Sequence, residues 1–147
     1  QCSVQIMEFS AAESTTTWPS VWRADLDRTN LSTVSQRLST LRPESGSSPD
    51  DVIQKIINRE YQLWCIDDWK AIAVTSIQIH PLHKELLIFF VSGSGVKAWF
   101  SSMVETLEQF ARDNGCKYLV EHGRKGWINM AKQHGAHERF TVMAKEL

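Results

Sequence analysis

Residues 86–91 read LLIFFV, six apolar residues with no polar break, and residues 92–95 read SGSG. A continuous apolar run of that length between turn residues is the pattern of a strand covered on both faces. Downstream, Val96, Trp99, Phe100, Met103, Val104, Leu107 and Phe110 recur at steps of three and one. That spacing predicts a long amphipathic helix with one buried face, closed by Gly115 as a left-handed cap. The order of buried strand, glycine loop and long helix restricts the fold severely. The strand must be internal to a sheet, the helix must cover one sheet face, and the loop must bring the helix start to the strand end. The first turn of a helix carries unpaired N–H groups and a partial positive charge, and glycines let a bulky anion approach the backbone. Residues 93–96 are therefore a candidate anion cradle, although two glycines between a strand and a helix more often serve as a tight connection.

A chain of 147 residues with 42% hydrophobic composition has the length and apolar content for one domain, spanning 1–147, with a real core. Sixteen Lys and Arg against 17 Asp and Glu give a formal net charge of −1, so no global field favours nucleic acid or an anionic membrane. The longest apolar run has six residues, far below the roughly 20 that span a bilayer, and the N-terminus lacks a basic-then-apolar leader pattern. A soluble, cytoplasmic protein is expected. Cys2, Cys65 and Cys116 are widely separated, which suggests neither a disulfide framework nor a paired-cysteine metal site and suits a reducing compartment.

Along the chain, Val4 and Ile6 alternate with polar neighbours and predict an edge strand over 3–9. Thr17 as a cap and Pro19 in a first turn predict a short helix carrying Val21, Trp22 and Leu26 and ending at Asn30. Leu31, Val34, Leu38 and Leu41 predict a second helix that stops before Arg42 and Pro43. Residues 43–50, PESGSSPD, read as a mobile linker. Ser48 is then a good cap, Pro49 a good first helical residue, and Asp50 and Asp51 complement the dipole of a helix that runs to about Glu60. Strands over 61–66, 71–80 and 84–91 form a meander, with a turn at 67–70 and another around Pro81. A strand over 117–121 follows the long helix and is expected to run parallel to 86–91 through a right-handed crossover. A short helix over 127–134 ends at Gly135, and 140–147 reads as a last strand.

Three stretches, YQLWCIDDWKAIAVTSIQIHP, KELLIFFVSGSGVKAWFSSMVETLEQFARDNGCKYLVEHGRKGW and KQHGAHERFTVMAKEL, follow that order of elements and resemble the GCN5-related N-acetyltransferase (GNAT) superfamily, especially the short GNAT-like proteins of tailed phages. The resemblance covers residues 50–147 and implies an α/β fold with a mixed, mostly antiparallel sheet whose fourth and fifth strands splay apart. It implies acetyl-CoA as co-substrate and an amine as acceptor, on a protein lysine, an N-terminus or a small molecule. The compartment would be the host bacterial cytoplasm if the chain is phage-encoded. In that family a loop of pattern Q/R-x-x-G-x-G/A binds the pyrophosphate of acetyl-CoA through backbone amides. Here the positions are Val91, Ser92, Gly93, Ser94, Gly95 and Val96, with both glycines present and Val91 where the family has Gln or Arg. A catalytically degenerate GNAT-fold protein that acts by binding another protein is the alternative the resemblance leaves open.

Acyl transfer needs a base for the amine and an acid for the leaving thiolate. The resemblance points to Glu85, near the start of the fourth strand, as a base, although beside Lys84 it reads more simply as an exposed strand-start carboxylate. Glu121 and His122 lie at the end of the fifth strand, where the resemblance places the thioester and either can relay a proton, although they read more simply as a strand-end charge and a loop histidine. The tyrosine that some members place four residues before the glycine ending the last helix is here Ala131. Arg124, beside Lys125, is a candidate for the CoA phosphates. His80 and His83 flank Pro81 without a third patterned ligand, and His134 and His137 flank Gly135, so no metal site is expected. Six tryptophans are many for this length. Trp64 and Trp99 fit apolar patterns, whereas Trp18, Trp22, Trp69 and Trp127 stand at turns or helix starts, where they suit packing or an acceptor pocket.

Overall fold

The computed structural model describes residues 19–122 and 125–147, with the side chain of Lys125 excepted. The elements are β1 (Val21–Ala24), α1 (Leu31–Leu38), a 3-10 turn (Pro43–Ser45), α2 (Pro49–Ile57), β2 (Gln62–Ile66), β3 (Ala71–Ile79), β4 (Lys84–Gly93), α3 (Val96–Asp113), β5 (Tyr118–Glu121) and α4 (Lys125–Gln133). The strands form one sheet in the order β1-β2-β3-β4-β5, antiparallel except for the parallel β4–β5 pair. This is a mixed α/β fold, as the sequence pattern implies, with β4 paired on both sides.

The sheet separates two cores. On one face α3 buries Trp99, Phe100, Met103, Val104 and Leu107 against Trp64, Ile66, Leu86 and Ile88. On the other, α1 and α2 bring Val34, Leu38, Val52 and Ile56 against Leu63, Cys65, Ile72, Val74 and Phe90. The period-two alternation along β2 thus sends Trp64 and Ile66 to one side and Leu63 and Cys65 to the other. Full burial of an apolar side chain contributes about 1.5–3 kcal/mol, so Trp99, Met103 and Leu107, all fully buried, anchor α3 firmly. The indole of Trp64 remains satisfied inside, donating to Thr75 Oγ1 at 2.9 Å, which in turn donates to Gln62 Oε1 at 2.8 Å. Among the described residues no helix is long and apolar enough to cross a membrane.

α2 starts as its residues dictate. Ser48 Oγ accepts from the Asp51 N–H at 3.1 Å while Asp51 Oδ2 accepts from the Ser48 N–H at 2.8 Å, a reciprocal capping box with Pro49 in the first turn. The helix ends at Ile57, earlier than the apolar pattern suggests, because Arg59 takes a positive φ of 63° that turns the chain into β2.

Two expectations are overturned. Val21 and Trp22, expected on a short helix, lie in β1, where Trp22 pairs with Cys65 and Ala24 with Leu63. A β-branched and an aromatic residue satisfy the open ladder of β2, and that tertiary pairing overrides the local cap signal at Pro19. Asn30, expected to end that helix, instead precedes α1, and its Oδ1 accepts from the Asp27 N–H at 2.9 Å. Residues 140–147 form no strand: Phe140, Val142 and Met143 are exposed, and without a neighbouring strand their alternation has no ladder to join. The strand expected over 3–9, and Thr17, lie outside the described residues.

β4 and β3 change register once. Val74 pairs with Phe90 but Thr75 pairs with Ile88, which leaves Phe89 as the extra residue of a β-bulge. Bulges bend their strand and sharpen its twist. The β4–β5 ladder runs from Glu85 opposite Tyr118 to Ile88 opposite Glu121 and stops at that bend. Past it, β4 ends on Gly93, which lies opposite Ala71 with φ +148°; a Cβ there would stand 2.3 Å from the Ala71 Cβ and 2.5 Å from the Lys70 carbonyl oxygen. Gly93→Ala is expected to destabilise the protein by about 2 kcal/mol or more in urea unfolding. An unchanged unfolding midpoint would contradict this close approach of two backbones.

Candidate functional site

Because β4 bends away at Phe89 while β5 stops at Glu121, a cavity of about 450 Å³ opens between them. Its size is that of a small-molecule site. One wall is the second half of β4, from Leu87 to Val91; the other carries Glu121, His122 and, from α4, Trp127. Leu41, Arg42, Glu44 and Ser45, from the segment after α1 and the 3-10 turn, close the third side. Phe100 and Trp99 meet the Trp127 ring edge-on at 5.5 and 6.3 Å, so the core of α3 sets this side chain. Thr40 Oγ1 lies 3.4 Å from Ser92 Oγ and ties the segment after α1 to the end of β4.

Glu121 is partly buried in this cavity wall, and burial pushes its carboxyl above the ordinary range. A carboxylate so tuned takes up a proton near neutral pH more readily than an exposed one. His122 stands next to it and is exposed. Two candidates named from sequence are therefore brought together with the cavity between them and β4.

The glycine loop continues directly from the β4 wall. Val91 and Ser92 are half-buried, while Gly93, Ser94 and Gly95 are exposed. Gly95 occupies the cap position of α3 with φ +74°, and no side chain caps the helix. The loop carbonyls are turned inward: Trp99 Nε1 donates to Ser94 O at 2.7 Å and the Ala98 N–H to Gly95 O at 2.9 Å. With no acidic residue in the first turn and Lys97 exposed there, the α3 start, from Val96, presents uncapped N–H groups and a positive field. Arg124 lies outside the described residues.

Glu85 is placed elsewhere. It sits at the opposite end of β4, between Gln78 and Tyr118 in the ladder, and does not line the cavity. Its buried carboxylate accepts from Arg139 Nη1 at 3.0 Å and lies 2.9 Å from His83 Nε2 and 3.4 Å from His80 Nε2. Burial alone pushes this carboxyl up, but the His83 and Arg139 hydrogen bonds, with the Arg139 and His80 charges, hold it below the ordinary range. A carboxylate stabilised in its charged form is a poor general base. Sequence reasoning did not reach Arg42 and Glu44, since no periodicity relates a turn after α1 to the end of β5; Trp127 was visible only as one of several tryptophans at helix starts.

No family model and no curated protein sequence matches the chain. Solved structures do. An acetyltransferase from Trypanosoma brucei superposes with a TM-score of 0.63 at 15% identity, over 88% of this chain and 99% of that one. A GCN5-related N-acetyltransferase from Ralstonia eutropha gives a TM-score of 0.66 at 13% identity, over 88% and 98% of the two chains. Glucosamine-6-phosphate N-acetyltransferase from Arabidopsis thaliana gives 0.63 at 14%, over 86% and 98%. The chain has the fold of the GCN5-related N-acetyltransferases.

Proposed function

We propose that the protein transfers an acetyl group from acetyl-CoA to an amine. The observation that carries this reading is the continuity of three features: the uncapped α3 start at Gly95, the cavity where β4 and β5 part, and the burial-tuned carboxyl of Glu121 in its wall. The pyrophosphate is placed on the amides of 93–96, with Val91 and Ser92 leading the pantetheine arm towards the cavity. The acceptor enters from the side of Arg42 and Glu44, where Glu44 adds a second carboxylate suited to an ammonium group. Glu121 takes the proton that the amine nitrogen must lose. The nitrogen attacks the thioester carbonyl, the C–N bond forms, the C–S bond breaks, and the departing thiolate takes a proton from His122 or water, since Ala131 carries no hydroxyl.

Val91 in place of the family's Gln or Arg, together with Ala131, favours one second reading: a GNAT-fold protein, phage-borne on this reading, that has lost catalysis and binds another protein. Calorimetry separates the two at the first step. The wild type is expected to bind acetyl-CoA below about 1 mM, the upper end of ordinary Michaelis constants. Gly95→Leu, at a position with space for a side chain but a left-handed φ, is expected to weaken binding at least about tenfold by moving the α3 amides. A silent wild type, or equal binding by the variant, contradicts the cradle.

The base has its own test. Glu121→Gln is expected to lower turnover about 10²–10⁴-fold with little change in the KM for acetyl-CoA, measured by thiol release with a panel of amines. Protonation disables the base, so the wild-type rate falls as pH drops through the Glu121 pKa. Burial raises that pKa, and the acid limb of the kcat/KM profile is expected above the ordinary carboxylate range and absent from Glu121→Gln. Equal turnover, or an unchanged limb in the variant, removes Glu121 from the mechanism.

A further inference from the structure

At the far end of β4 from the cavity, the turn between β3 and β4 brings three donors to one point. His80, His83 and Glu85 each offer one ligand atom, all within 4.8 Å of one another. We infer that these three residues bind a single divalent transition cation, Zn²⁺ by the character of the donor set. Two imidazoles and one carboxylate are ligands that zinc takes with a fourth position left to water, whereas Mg²⁺ and Ca²⁺ require oxygen around the whole ion.

The three donors already converge within 4.8 Å, and closing on an ion requires His83 Nε2 to turn from Oε1 towards it. Zinc bonds of about 2.0–2.1 Å in a tetrahedron put neighbouring donors about 3.3–3.4 Å apart. His80 Nε2 stands 3.4 Å from Glu85 Oε2, and His83 Nε2 stands 2.9 Å from Oε1. The turn is set in advance, since the His80 N–H donates to the His83 carbonyl at 2.8 Å across Pro81. The His83 ring is held edge-on against Tyr118 at 5.0 Å. Arg139 stacks over the same Tyr118 ring at 4.8 Å and donates to Oε1, which leaves Oε2 facing His80. An outer partner that fixes a ligand carboxylate in this way is a recurrent part of metal sites.

Exposure supports an entry path. Glu85 is buried, but the His80 side chain is 46% exposed, so an ion reaches the site from solvent and keeps an open position on that side. Binding at His83 Nε2 replaces its contact with Oε1, and the ion takes the lone pairs of both Nε2 atoms and of Oε2 while Arg139 keeps Oε1. The ion then fastens the β3–β4 turn to the start of β4. Nothing in this site depends on acetyl transfer.

Titration of the metal-free protein with zinc chloride at pH 7.5, followed by calorimetry, tests the site, with Co²⁺ as a visible probe of four-coordinate geometry. One Zn²⁺ per chain is expected with a Kd of about 10 μM or tighter, and the Co²⁺ form is expected to show the strong visible absorption of a tetrahedral ion. His80→Ala, whose side chain is half exposed, and His83→Ala are each expected to weaken binding at least about tenfold, the lower end of what even outer partners contribute. His134→Ala, in the turn just after α4, is expected to bind as the wild type does, and a large excess of Mg²⁺ is expected not to compete. Absence of zinc binding by the wild type overturns the site, as do equal affinity in the His80 and His83 variants, equal loss in His134→Ala, or displacement by Mg²⁺.

Discussion

One bulge organises the molecule. Up to Ile88, β4 is held on both sides, by β3 and by β5; at Phe89 an extra residue enters the strand, the β3 register shifts, and the pairing with β5 ends. A buried sheet does not readily part, because each unpaired backbone group in a dry interior costs about 1–3 kcal/mol. The bulge moves that cost to a place where the backbone faces a cavity. The two cores on either side of the sheet keep the remainder rigid, so the parting of β4 and β5 is a fixed feature of the fold.

The ends of β4 carry opposite electrostatics. At its start Glu85 is buried but surrounded by His80, His83 and Arg139, which favour its charged form. Near its bend the β5 carboxyl of Glu121 is shifted the other way, by burial. Two carboxylates with environments that push their proton affinities apart take different roles. The first is an ion-pair partner of His80, His83 and Arg139, and the second is the carboxyl proposed above to take the proton of the amine.

Much of the fold was legible because it is written in local periodicity. The apolar run of β4, the helical spacing from Val96 to Phe110 and the Ser48–Asp51 cap each depend on residues a few positions apart, and each element stands where those residues place it. β1 was misread because Pro19 is an equally good helix start in isolation; only the open edge of β2, some 40 residues on, decides for a strand. The bulge was invisible because LLIFFV is apolar throughout, and a run without alternation shows no phase change. Of the candidate site, the glycine loop and Glu121 with His122 were legible only as a helix start and a strand end. The surroundings of Glu85 were not, since Arg139 reaches it across 54 positions and the two histidines read as turn residues.

Amide hydrogen exchange with and without acetyl-CoA reports directly on whether the bend in β4 and the start of α3 work as one donor site. Slowed exchange is expected in two segments together, the end of β4 over 88–91 and the α3 start over 94–98, with residues 78–85 unaffected. Protection absent from both segments, or confined to the β3–β4 turn, would contradict the placement of acetyl-CoA between β4, β5 and α3.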